Sequence, residues 1–253
     1  FPYTTALPIC LPKTLHAIQR LADEIIVVDC GSTDATCEIA QKYGAKVLIN
    51  APFPGYGQQK RFAEDHCRND WVLNIDADEI VSPQLYKKII KLFSQPNQMK
   101  ELYTIRIIHM LPNEKKISWF AFTNSPIRLY KRSCGRYNPS RVHDRVDRIK
   151  GIVGKIREPL LHYSIQSLTH LAAKLSNYTS LQAQDYVSRE QAIIHPLRLL
   201  VEFPLMFLKC YLGRGYIFRG RYGYLIAMIY ANNRLMRLVK ISDLQNQSTN
   251  GSN

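Results

Sequence analysis

The sequence lacks the short motifs by which several common classes of protein are recognised. Its six cysteines are scattered, with no Cys-x-x-Cys and no Cys/His spacing typical of a metal site. This argues against structural zinc and against a disulfide framework, and it indicates reduced thiols. There is also no Gly-x-Gly-x-x-Gly and no P-loop, so the sequence supports neither a dinucleotide cofactor nor P-loop NTPase chemistry.

Long apolar runs are absent as well. The N-terminus has no basic region followed by a long apolar segment, so we expect no secretory signal peptide. No window reaches the roughly 18 uncharged apolar residues that a membrane-spanning helix needs. A spanning helix is therefore not expected.

Acidic residues are scarce relative to basic ones. The chain of 253 residues has 34 Lys and Arg against 20 Asp and Glu, which gives a net charge of +14, and its pI is about 9.6. Such a charge favours an anionic partner: nucleic acid, an anionic membrane or a phosphorylated substrate. The content of 46% apolar residues is typical of a globular protein.

Strands and helices alternate in the first third of the sequence. Apolar runs predict strands at Glu24–Asp29, Lys46–Ile49 and Trp71–Asp76. One helix is predicted up to about Tyr43, where Thr33 or Asp34 can cap its start, and another over residues 58–67. This order is typical of a parallel sheet of the nucleotide-binding type.

The segment Asp76-Ala77-Asp78 comes at the end of the third predicted strand. Open α/β sheets bind ligands at the carboxyl ends of their strands. Two carboxylates at a point where a strand turns can both reach one hard cation through oxygen, and such a cation could neutralise a diphosphate. The alternative is an acidic loop that caps the next helix, and these residues alone leave it open.

Two further residues are candidates for binding a nucleotide. Asp29 ends the first predicted strand, at the same edge of the sheet as Asp76, and can accept hydrogen bonds from a base or a ribose. Lys60, at the start of the helix before the acidic segment, can contact a phosphate or a base. A solvated charge on a helix is the alternative for Lys60.

Beyond the acidic segment the pattern predicts one amphipathic helix, over residues 82–95, and then several strands. Leu102–Met110 predicts a strand, and Trp119–Phe122 and Ile127–Lys131 predict antiparallel additions to the sheet. The polar stretch Arg141–Asp144 follows no periodic pattern and is interpreted as a site loop. A surface ion-pair cluster is the alternative for that stretch.

The last third of the sequence is apolar, aromatic and basic. Residues 195–240 contain eight Lys and Arg against one acid, Glu202. Helices of this kind can lie in a membrane interface, where each basic residue near anionic lipid contributes about 1 kcal/mol. Ordinary packing of these helices on the sheet domain is the alternative. Residues 245–253 are polar and of low complexity, which predicts disorder.

Several stretches together resemble family 2 glycosyltransferases, from about residue 15 to residue 240. They are Ala22–Thr36, Gly55–Ala63, Trp71–Glu79, Arg141–Asp144 and Leu160–Ser164. The last two are similar to the branch of lipopolysaccharide inner-core β-1,4-glucosyltransferases. The resemblance implies an α/β protein of GT-A fold, with a Rossmann-like nucleotide-binding sheet and antiparallel additions, followed by a C-terminal helical region that associates with a membrane.

The resemblance also implies an activity. The expected reaction moves a hexose, in the first place glucose from UDP-glucose, to the lipopolysaccharide inner core with inversion at the anomeric carbon. The nucleotide sugar is expected at Asp29, Asp34, Lys60, Asp76 and Ala77. A divalent cofactor, Mg²⁺ or Mn²⁺, is expected on Asp78 and Asp76.

The expected general base is Asp144, with His143 and Arg141 orienting it or holding a phosphate of the acceptor. Family members usually have Glu where this chain has Asp144. The family's opening strand also has no match in residues 1–14, which contain three prolines. We therefore expect an altered first strand and a nucleotide pocket that lacks one wall.

The implied organisation has three parts: a catalytic domain over residues 1–160, an amphipathic helical region over 161–244 and a disordered tail over 245–253. The expected partners are a UDP-sugar, an anionic lipid-linked saccharide of the lipid A–core type and the inner membrane surface, with no nucleic acid. The expected location is cytoplasmic and peripheral on the inner face of the bacterial inner membrane. The alternatives are a sugar transferase acting on a polyprenyl phosphate or another glycolipid, and a basic nucleic-acid- or membrane-binding protein without catalysis.

Overall fold

The computed structural model describes residues 10–112, 114, 116–119, 121–140, 144–188 and 194–250. The chain forms two compact units. The first comprises Phe1–His109 and Thr123–Ser164, and the second comprises Met110–Phe122 and Ile165–Asn253.

The first unit begins with helices and strands in alternation. In chain order they are α1 (Leu11–Ile18), β1 (Ile26–Asp29), α2 (Thr36–Lys42), β2 (Lys46–Ile49) and α3 (Tyr56–Asp65). The strands β1 and β2 pair in parallel, with Ile26 opposite Lys46 and Asp29 opposite Ile49. Parallel neighbours need a crossover connection, which α2 supplies. The predicted parallel arrangement is confirmed for these two strands, whereas the third predicted strand lies in a different sheet, so Asp29 and Asp76 do not end strands of the same sheet.

A mixed sheet of six strands forms the body of the first unit. Its elements and those between them are β3 (Trp71–Leu73), β4 (Glu79–Val81), α4 (Pro83–Phe93), β5 (Leu102–His109), β6 (Thr123–Asn124), β7 (Ile127–Lys131), β8 (Gly135–Tyr137), β9 (Val146–Arg148) and β10 (Val153–His162). The order across the sheet is β3-β7-β5-β10-β4, with β6 paired to β5, and β8 and β9 form a pair of their own. β5 and β10 run parallel, whereas the other described pairs of the six-stranded sheet are antiparallel.

The core of this unit lies between the mixed sheet and α4. Ile105 and Ile107 of β5 are fully buried and pack with Leu85 and Ile89 of α4. Ser82 begins α4 by accepting a hydrogen bond from the backbone N–H of Leu85 at 3.2 Å. The apolar spacing that predicts a helix here therefore corresponds to its buried face.

Two predicted strands differ from the structure. The strand expected over Trp71–Asp76 ends at Leu73 and pairs antiparallel with β7, because the chain turns where the backbone N–H of Glu79 donates to the carbonyl oxygen of Asp76 at 2.9 Å. The prediction of a strand over Trp119–Phe122 is wrong for the described residues of that range. A turn closes instead, in which the backbone N–H of Ala121 donates to the carbonyl oxygen of Ser118 at 3.1 Å.

A cavity of about 450 Å³ lies between β1 and β3. Each of these strands has one edge without a strand partner among the described residues. The cavity is lined by residues of both strands and by α4, among them Ile26, Trp71, Leu73 and Phe93. The apolar residues of β1 and β3 are accordingly half-buried, although their sequence pattern predicts full burial.

The second unit is helical. Its elements are α5 (Leu168–Ser188), α6 (Pro196–Leu208), a short π-helix (Lys209–Gly213), a 3₁₀ turn (Tyr216–Arg219) and α7 (Gly220–Asn250). α7 contributes Ile226 to one buried cluster and Leu238 to another. It continues to Asn250, across most of the tail predicted to be disordered, because a helix already nucleated can extend through polar residues. In the described part of the chain no helix is both long and apolar enough to cross a membrane.

Candidate active site

Asp29 is held in the turn that follows β1. Its Oδ2 accepts hydrogen bonds from the backbone N–H groups of Gly31 and Ser32, both at 2.7 Å, and its Oδ1 accepts from the Ser32 hydroxyl. Gly31 has φ of +100°, a conformation that favours glycine. Burial opposes ionisation, but the hydrogen bonds from Ser32 and Gly31 hold the pKa of Asp29 below its ordinary value. Asp29 is therefore an ionised acceptor.

Asp34 lies at the entrance to α2. Its Oδ1 accepts a hydrogen bond from the backbone N–H of Thr36 at 3.0 Å, which supports the start of the helix. Its Oδ2 is buried and has no hydrogen-bond partner within the described residues. A buried carboxylate oxygen without a donor is destabilising, so a hydroxyl or N–H of a bound ligand would fit this position.

Lys60 on α3 lies between two carboxylates. Its Nζ is 2.8 Å from Oδ1 of Asp76 and 2.7 Å from Oδ2 of Asp144, and it lies 5.1 Å from the ring centroid of Tyr137. Burial and the charge of Arg128 disfavour the ammonium charge, but Asp76, Tyr137 and Asp144 outweigh them and raise the pKa of Lys60. The alternative of a solvated helix charge is thus excluded for Lys60, because its ammonium group is buried between these two acids.

Asp76 accepts from two cations. In addition to Lys60, Nη2 of Arg128 is 3.0 Å from Oδ2 of Asp76. Burial opposes ionisation, but Arg128 and Lys60 hold the pKa of Asp76 far below its ordinary value. The carboxylate is therefore charged and held on both sides.

Arg128 is the main residue that sequence reasoning missed. It lies on β7, is buried, and its Nη2 also donates to Oε1 of Glu79 at 2.7 Å while its Nη1 donates to Oδ1 of Asn74 at 2.7 Å. Glu79 is fully buried, and burial together with the charge of Asp76 raises its pKa to about 7. The available signal was a single arginine inside the apolar strand Ile127–Lys131, since a buried charge requires a partner.

Ala77 serves the site through its backbone. Its carbonyl oxygen accepts a hydrogen bond from the Thr14 hydroxyl at 3.0 Å, and its side chain packs against the cluster that contains Leu11 and Leu15 of α1. α1 is thus fixed against the acidic turn. This contact positions the turn that carries Asp76 and Asp78.

The side chain of Asp78 contacts β10, whereas that of Asp76 contacts Lys60. Its Oδ2 is 3.2 Å from Nε2 of His162, whose ring lies 4.8 Å from that of His109, and its carbonyl oxygen accepts from the backbone N–H of Tyr163 at 2.9 Å. Burial lowers the pKa of His162, but the hydrogen bond that its Nε2 donates to Asp78 and the charges of the nearby carboxylates together outweigh burial and raise this pKa. The imidazole of His162 and the carboxylate of Asp78 form a hydrogen-bonded pair, which becomes an ion pair when the imidazole is protonated.

Asp76 and Asp78 together offer carboxylate oxygens to a divalent metal ion. Carboxylate oxygens suit Mg²⁺ and Mn²⁺. No three His, Cys, Asp or Glu side chains in the described ranges are already arranged to hold an ion. Both oxygens of Asp76 accept from cations, whereas only Oδ2 of Asp78 is paired with His162. Asp78 is consequently the better-suited ligand, and Asp76 could become one by releasing Lys60 or Arg128.

Asp144 reaches the site from the loop between β8 and β9. The loop is anchored to α3 because the backbone N–H of Gly57 donates to the carbonyl oxygen of Ser140 at 2.9 Å. Two of the other predicted residues, Arg141 and His143, lie outside the described residues. The structure therefore brings Lys60, Asp76 and Asp144 into contact, while the described hydrogen bonds of Asp29 and Asp34 lie within their own turns.

The cluster combines two cations with several carboxylates. Two cations, Lys60 and Arg128, can interact with anionic groups of a ligand, and Asp144 offers a carboxylate that can accept a proton. A buried ion-pair network also perturbs the pKa values of its members, which is common in active sites and occurs in structural networks as well. The arrangement fits the binding of a phosphorylated compound beside a potential general base.

Comparison with known families gives an independent result. The model of the family described as "Glycosyl transferase family 2" matches residues 8–153. That range covers more than half of the chain and includes Asp29, Lys60, Asp76, Asp78 and Asp144.

Curated relatives match nearly the whole chain. An uncharacterized glycosyltransferase of Rickettsia conorii is 38% identical over 247 residues, which is 94% of this chain and 87% of the relative. One from Rickettsia felis is 37% identical over 249 residues, 95% of this chain and 87% of the relative. A lipopolysaccharide core biosynthesis glycosyltransferase of Rhizobium meliloti is 29% identical over 244 residues, 91% of this chain and 86% of the relative.

Among solved structures, a crystal structure of residues 1–349 of Staphylococcus aureus TarS aligns with a TM-score of 0.42 at 13% identity. The alignment covers 94% of this chain and 88% of that chain.

Proposed function

The chain belongs to glycosyl transferase family 2, and we propose that it transfers a hexose, in the first place glucose from UDP-glucose, to the lipopolysaccharide inner core with inversion at the anomeric carbon. It is a glycosyltransferase of GT-A fold, which uses a nucleotide-sugar donor and a glycan acceptor. The observation that carries the proposal is the contact of Lys60 with both Asp76 and Asp144. The name of the Rhizobium meliloti relative supports the choice of acceptor.

The donor is proposed to bind at the acidic turn and the end of β1. Asp29 accepts a hydrogen bond from uracil, and Asp34 contributes the buried oxygen that has no partner in the described chain. Lys60 contacts the diphosphate or the base, for which it must exchange part of its pairing with Asp76 or Asp144. Asp76 and Ala77 line the ribose and sugar side of the pocket.

The chemical step is proposed as a single displacement. The acceptor hydroxyl gives its proton to the Asp144 carboxylate, while its oxygen forms the new bond to the anomeric carbon. The bond from that carbon to the diphosphate oxygen breaks, and UDP leaves with the electron pair. A positioned base of this kind contributes about 10²–10⁴-fold to the rate. His143 and Arg141 are proposed to orient the base or to hold a phosphate of the acceptor.

A divalent cation is proposed as the cofactor, Mg²⁺ or Mn²⁺, with Asp78 as ligand and Asp76 as its second ligand once a cation partner is released. When bound, it would neutralise the charge that develops on the leaving UDP. Lys60 and Arg128, which both pair with Asp76, supply further positive charge beside this position.

The acceptor is proposed to be an anionic lipid-linked saccharide at the cytoplasmic face of the inner membrane. The net charge of +14 supports this, because a basic protein concentrates anionic substrates near its surface. Transfer to a polyprenyl phosphate or another glycolipid is the second candidate. Product analysis with defined acceptors of both kinds separates the two.

The donor proposal is tested by calorimetric titration with UDP-glucose, other UDP-sugars and ADP-heptose, each with and without Mn²⁺. We expect metal-dependent binding of UDP-glucose and its loss in Asp78→Asn. Absence of metal-dependent binding for every donor would remove the proposal.

The proposed base is tested separately by turnover. Asp144→Asn should lower turnover by about 10²–10⁴-fold while donor binding is retained. The matched control is Asp147→Asn, because Asp147 lies three residues away in β9 and its side chain is exposed. If Asp144→Asn keeps near wild-type turnover while Asp78→Asn abolishes it, Asp144 is not the base.

A further inference from the structure

The helix α6 presents a row of large aliphatic side chains to solvent. Leu200 is 75% exposed and Leu205 is 62% exposed. The row contains six residues in all: Leu197, Leu200, Val201, Leu205, Leu208 and, in the π-helix that follows, Leu212. We call these six residues the α6 stripe.

The α6 stripe occupies one face of the helix. Its members follow each other at intervals of three, one, four, three and four residues, which is the spacing of a single helical face. The opposite face packs inside the second unit, where Met206 and Phe207 contact the cluster around Ile226 and Ala227. α6 is thus held by one face, and its more aliphatic face has no partner among the described residues.

Exposed apolar side chains are concentrated in the second unit. Of the large apolar residues exposed in the described chain, six lie in the larger first unit and fifteen in the second. Scattered exposed apolar residues are ordinary, but a continuous patch of this kind indicates an interaction surface.

The charge around the α6 stripe is positive. Lys209 directly follows Leu208 and is exposed. The single acid of residues 195–240, Glu202, is neutralised by ion pairs with Arg198 at 3.2 Å and with Arg234. A surface with an aliphatic face, the exposed Lys209 and an acid that is outnumbered by its two arginine partners complements an anionic lipid headgroup layer over an acyl region.

We propose that the α6 stripe is the surface by which this protein lies on a bilayer that contains anionic phospholipid. The stripe is aliphatic throughout, whereas the centres of protein interfaces are enriched in aromatic residues and arginine. The proposed function places the acceptor at the inner membrane, and only the identity of this membrane rests on that function. Its evidence comes from the second unit, so it can fail while donor binding stands.

The test is sedimentation of the full chain with vesicles of phosphatidylglycerol and phosphatidylcholine at a one-to-one ratio, and with vesicles of phosphatidylcholine alone. We expect binding to the anionic vesicles and a loss of at least about tenfold in Leu200→Ser/Leu205→Ser, since each CH₂ group withdrawn from lipid weakens binding by about fourfold. Weaker binding to pure phosphatidylcholine is expected from the loss of the charge contribution.

The matched control is Ile149→Ser/Ile152→Ser in the first unit, where the two side chains are 64% and 63% exposed. This variant should bind the anionic vesicles like the wild type. Calorimetric titration with UDP-glucose should give the same result for both double variants, which separates failure of this proposal from failure of the proposed function.

A second variant keeps the test independent of folding. The fluorescence of Leu200→Trp should shift to shorter wavelength on addition of the anionic vesicles, and that of Ile149→Trp should not. Wild-type binding by Leu200→Ser/Leu205→Ser, or an unshifted Leu200→Trp, would overturn the proposal. A dimeric wild type that becomes monomeric in the Leu200→Ser/Leu205→Ser variant would also overturn it, since the stripe would then join two copies of the chain.

Discussion

Arg128 is the residue on which the charge balance of the site depends. It donates to Asp76 and Glu79, and with Lys60 it provides two cations for the carboxylates of Asp76, Glu79 and Asp144. Removing one partner of a buried ion pair costs far more than removing an exposed pair, because the remaining charge stays buried. The arginine is thus expected to be essential for the folded site and not only for contact with a ligand.

We predict that Arg128→Met destabilises the protein by about 3–5 kcal/mol, since it leaves the fully buried carboxylate of Glu79 and the partly exposed carboxylate of Asp76 with one cation fewer. The measurement is urea unfolding followed by circular dichroism. The control is Arg145→Met, whose partner Asp147 is also exposed and whose loss should cost less than about 1 kcal/mol. Equal effects of the two substitutions would contradict the buried network.

Glu64 provides a prediction about pH. It is buried under β7 and β8, where its carboxylate accepts from the Tyr130 hydroxyl and, at 3.3 Å, from the backbone N–H of Tyr137. Burial outweighs these hydrogen bonds and raises the pKa of Glu64. The folded protein therefore binds the proton more tightly than the unfolded chain does, so this group's stabilising contribution is complete below the unfolded pKa of about 4.3 and is lost as pH rises through the folded pKa.

Glu64→Gln should remove that dependence. We expect the free energy of unfolding of the wild type to fall relative to Glu64→Gln as pH rises above about 4.3, and the difference to become constant above the folded pKa. The measurement is urea unfolding at a series of pH values. Glu38→Gln on the exposed side of α2 is the control matched for charge. A difference that grows in the opposite direction would contradict the raised pKa.

For single residues, the sequence identified members of the site better than the contacts between them. Asp76, Asp144 and Lys60 were predicted as site residues because each stands out in its local pattern. Their mutual contacts could not be predicted, because the three residues come from separate elements and the distance between them depends on tertiary packing. The role of Arg128 was hidden for the same reason.

The junction of α3 with the loop after β8 decides whether the site forms. Gly57, the second residue of α3, lies against this loop so closely that a Cβ atom would be 2.1 Å from the carbonyl oxygen of Asn138 and 2.8 Å from that of Ser140. Both neighbours are backbone atoms and cannot move without moving the loop. α3 carries Lys60 and the loop leads to Asp144, so the close approach brings these two residues together.

We predict that Gly57→Ala lowers stability by about 1–3 kcal/mol, as overpacking does, and lowers turnover by more than the loss of folded protein explains. Turnover should be measured per folded molecule, with the folded fraction taken from denaturant titration. Gly213→Ala is the control, because a Cβ atom there would meet nothing within 4 Å. Full turnover of folded Gly57→Ala would show that the junction is not needed for catalysis.

The order of elements was more predictable than their pairing. The runs Lys46–Ile49 and Ile127–Lys131 form strands as predicted, because apolar β-branched residues bounded by turns favour strands. The partner of β3 could not be read from its own residues, since a short apolar run is compatible with parallel and antiparallel neighbours. The edges of β1 and β3 beside the cavity could not be predicted from local pattern either. Whether such an edge is paired depends on whether another strand of the fold lies next to it.

For the molecule as a whole, net charge alone does not decide between the candidate functions. The net charge of +14 promotes association with any polyanion. It therefore cannot distinguish an enzyme acting on anionic substrates from a basic nucleic-acid-binding protein. The family assignment and the buried ion-pair cluster favour the enzyme, and dependence on salt offers a direct experimental distinction between the two.

We predict that added salt separates specific donor binding from general polyanion binding. A protein that contacts six to ten phosphates of random duplex DNA loses about 10³–10⁵-fold in affinity between about 50 and 200 mM salt. A nucleotide sugar has only two phosphates, and the groups proposed to receive it are largely screened from solvent, so its affinity should change by less than about tenfold over the same range. The affinity for UDP-glucose is measured by calorimetry, and the affinity for DNA by a fluorescence titration with labelled DNA. Both are measured at a series of NaCl concentrations. Salt-dependent binding of DNA, together with no binding of any UDP-sugar, would instead support the non-catalytic nucleic-acid-binding alternative, because the cluster around Lys60 would then be a structural ion-pair network.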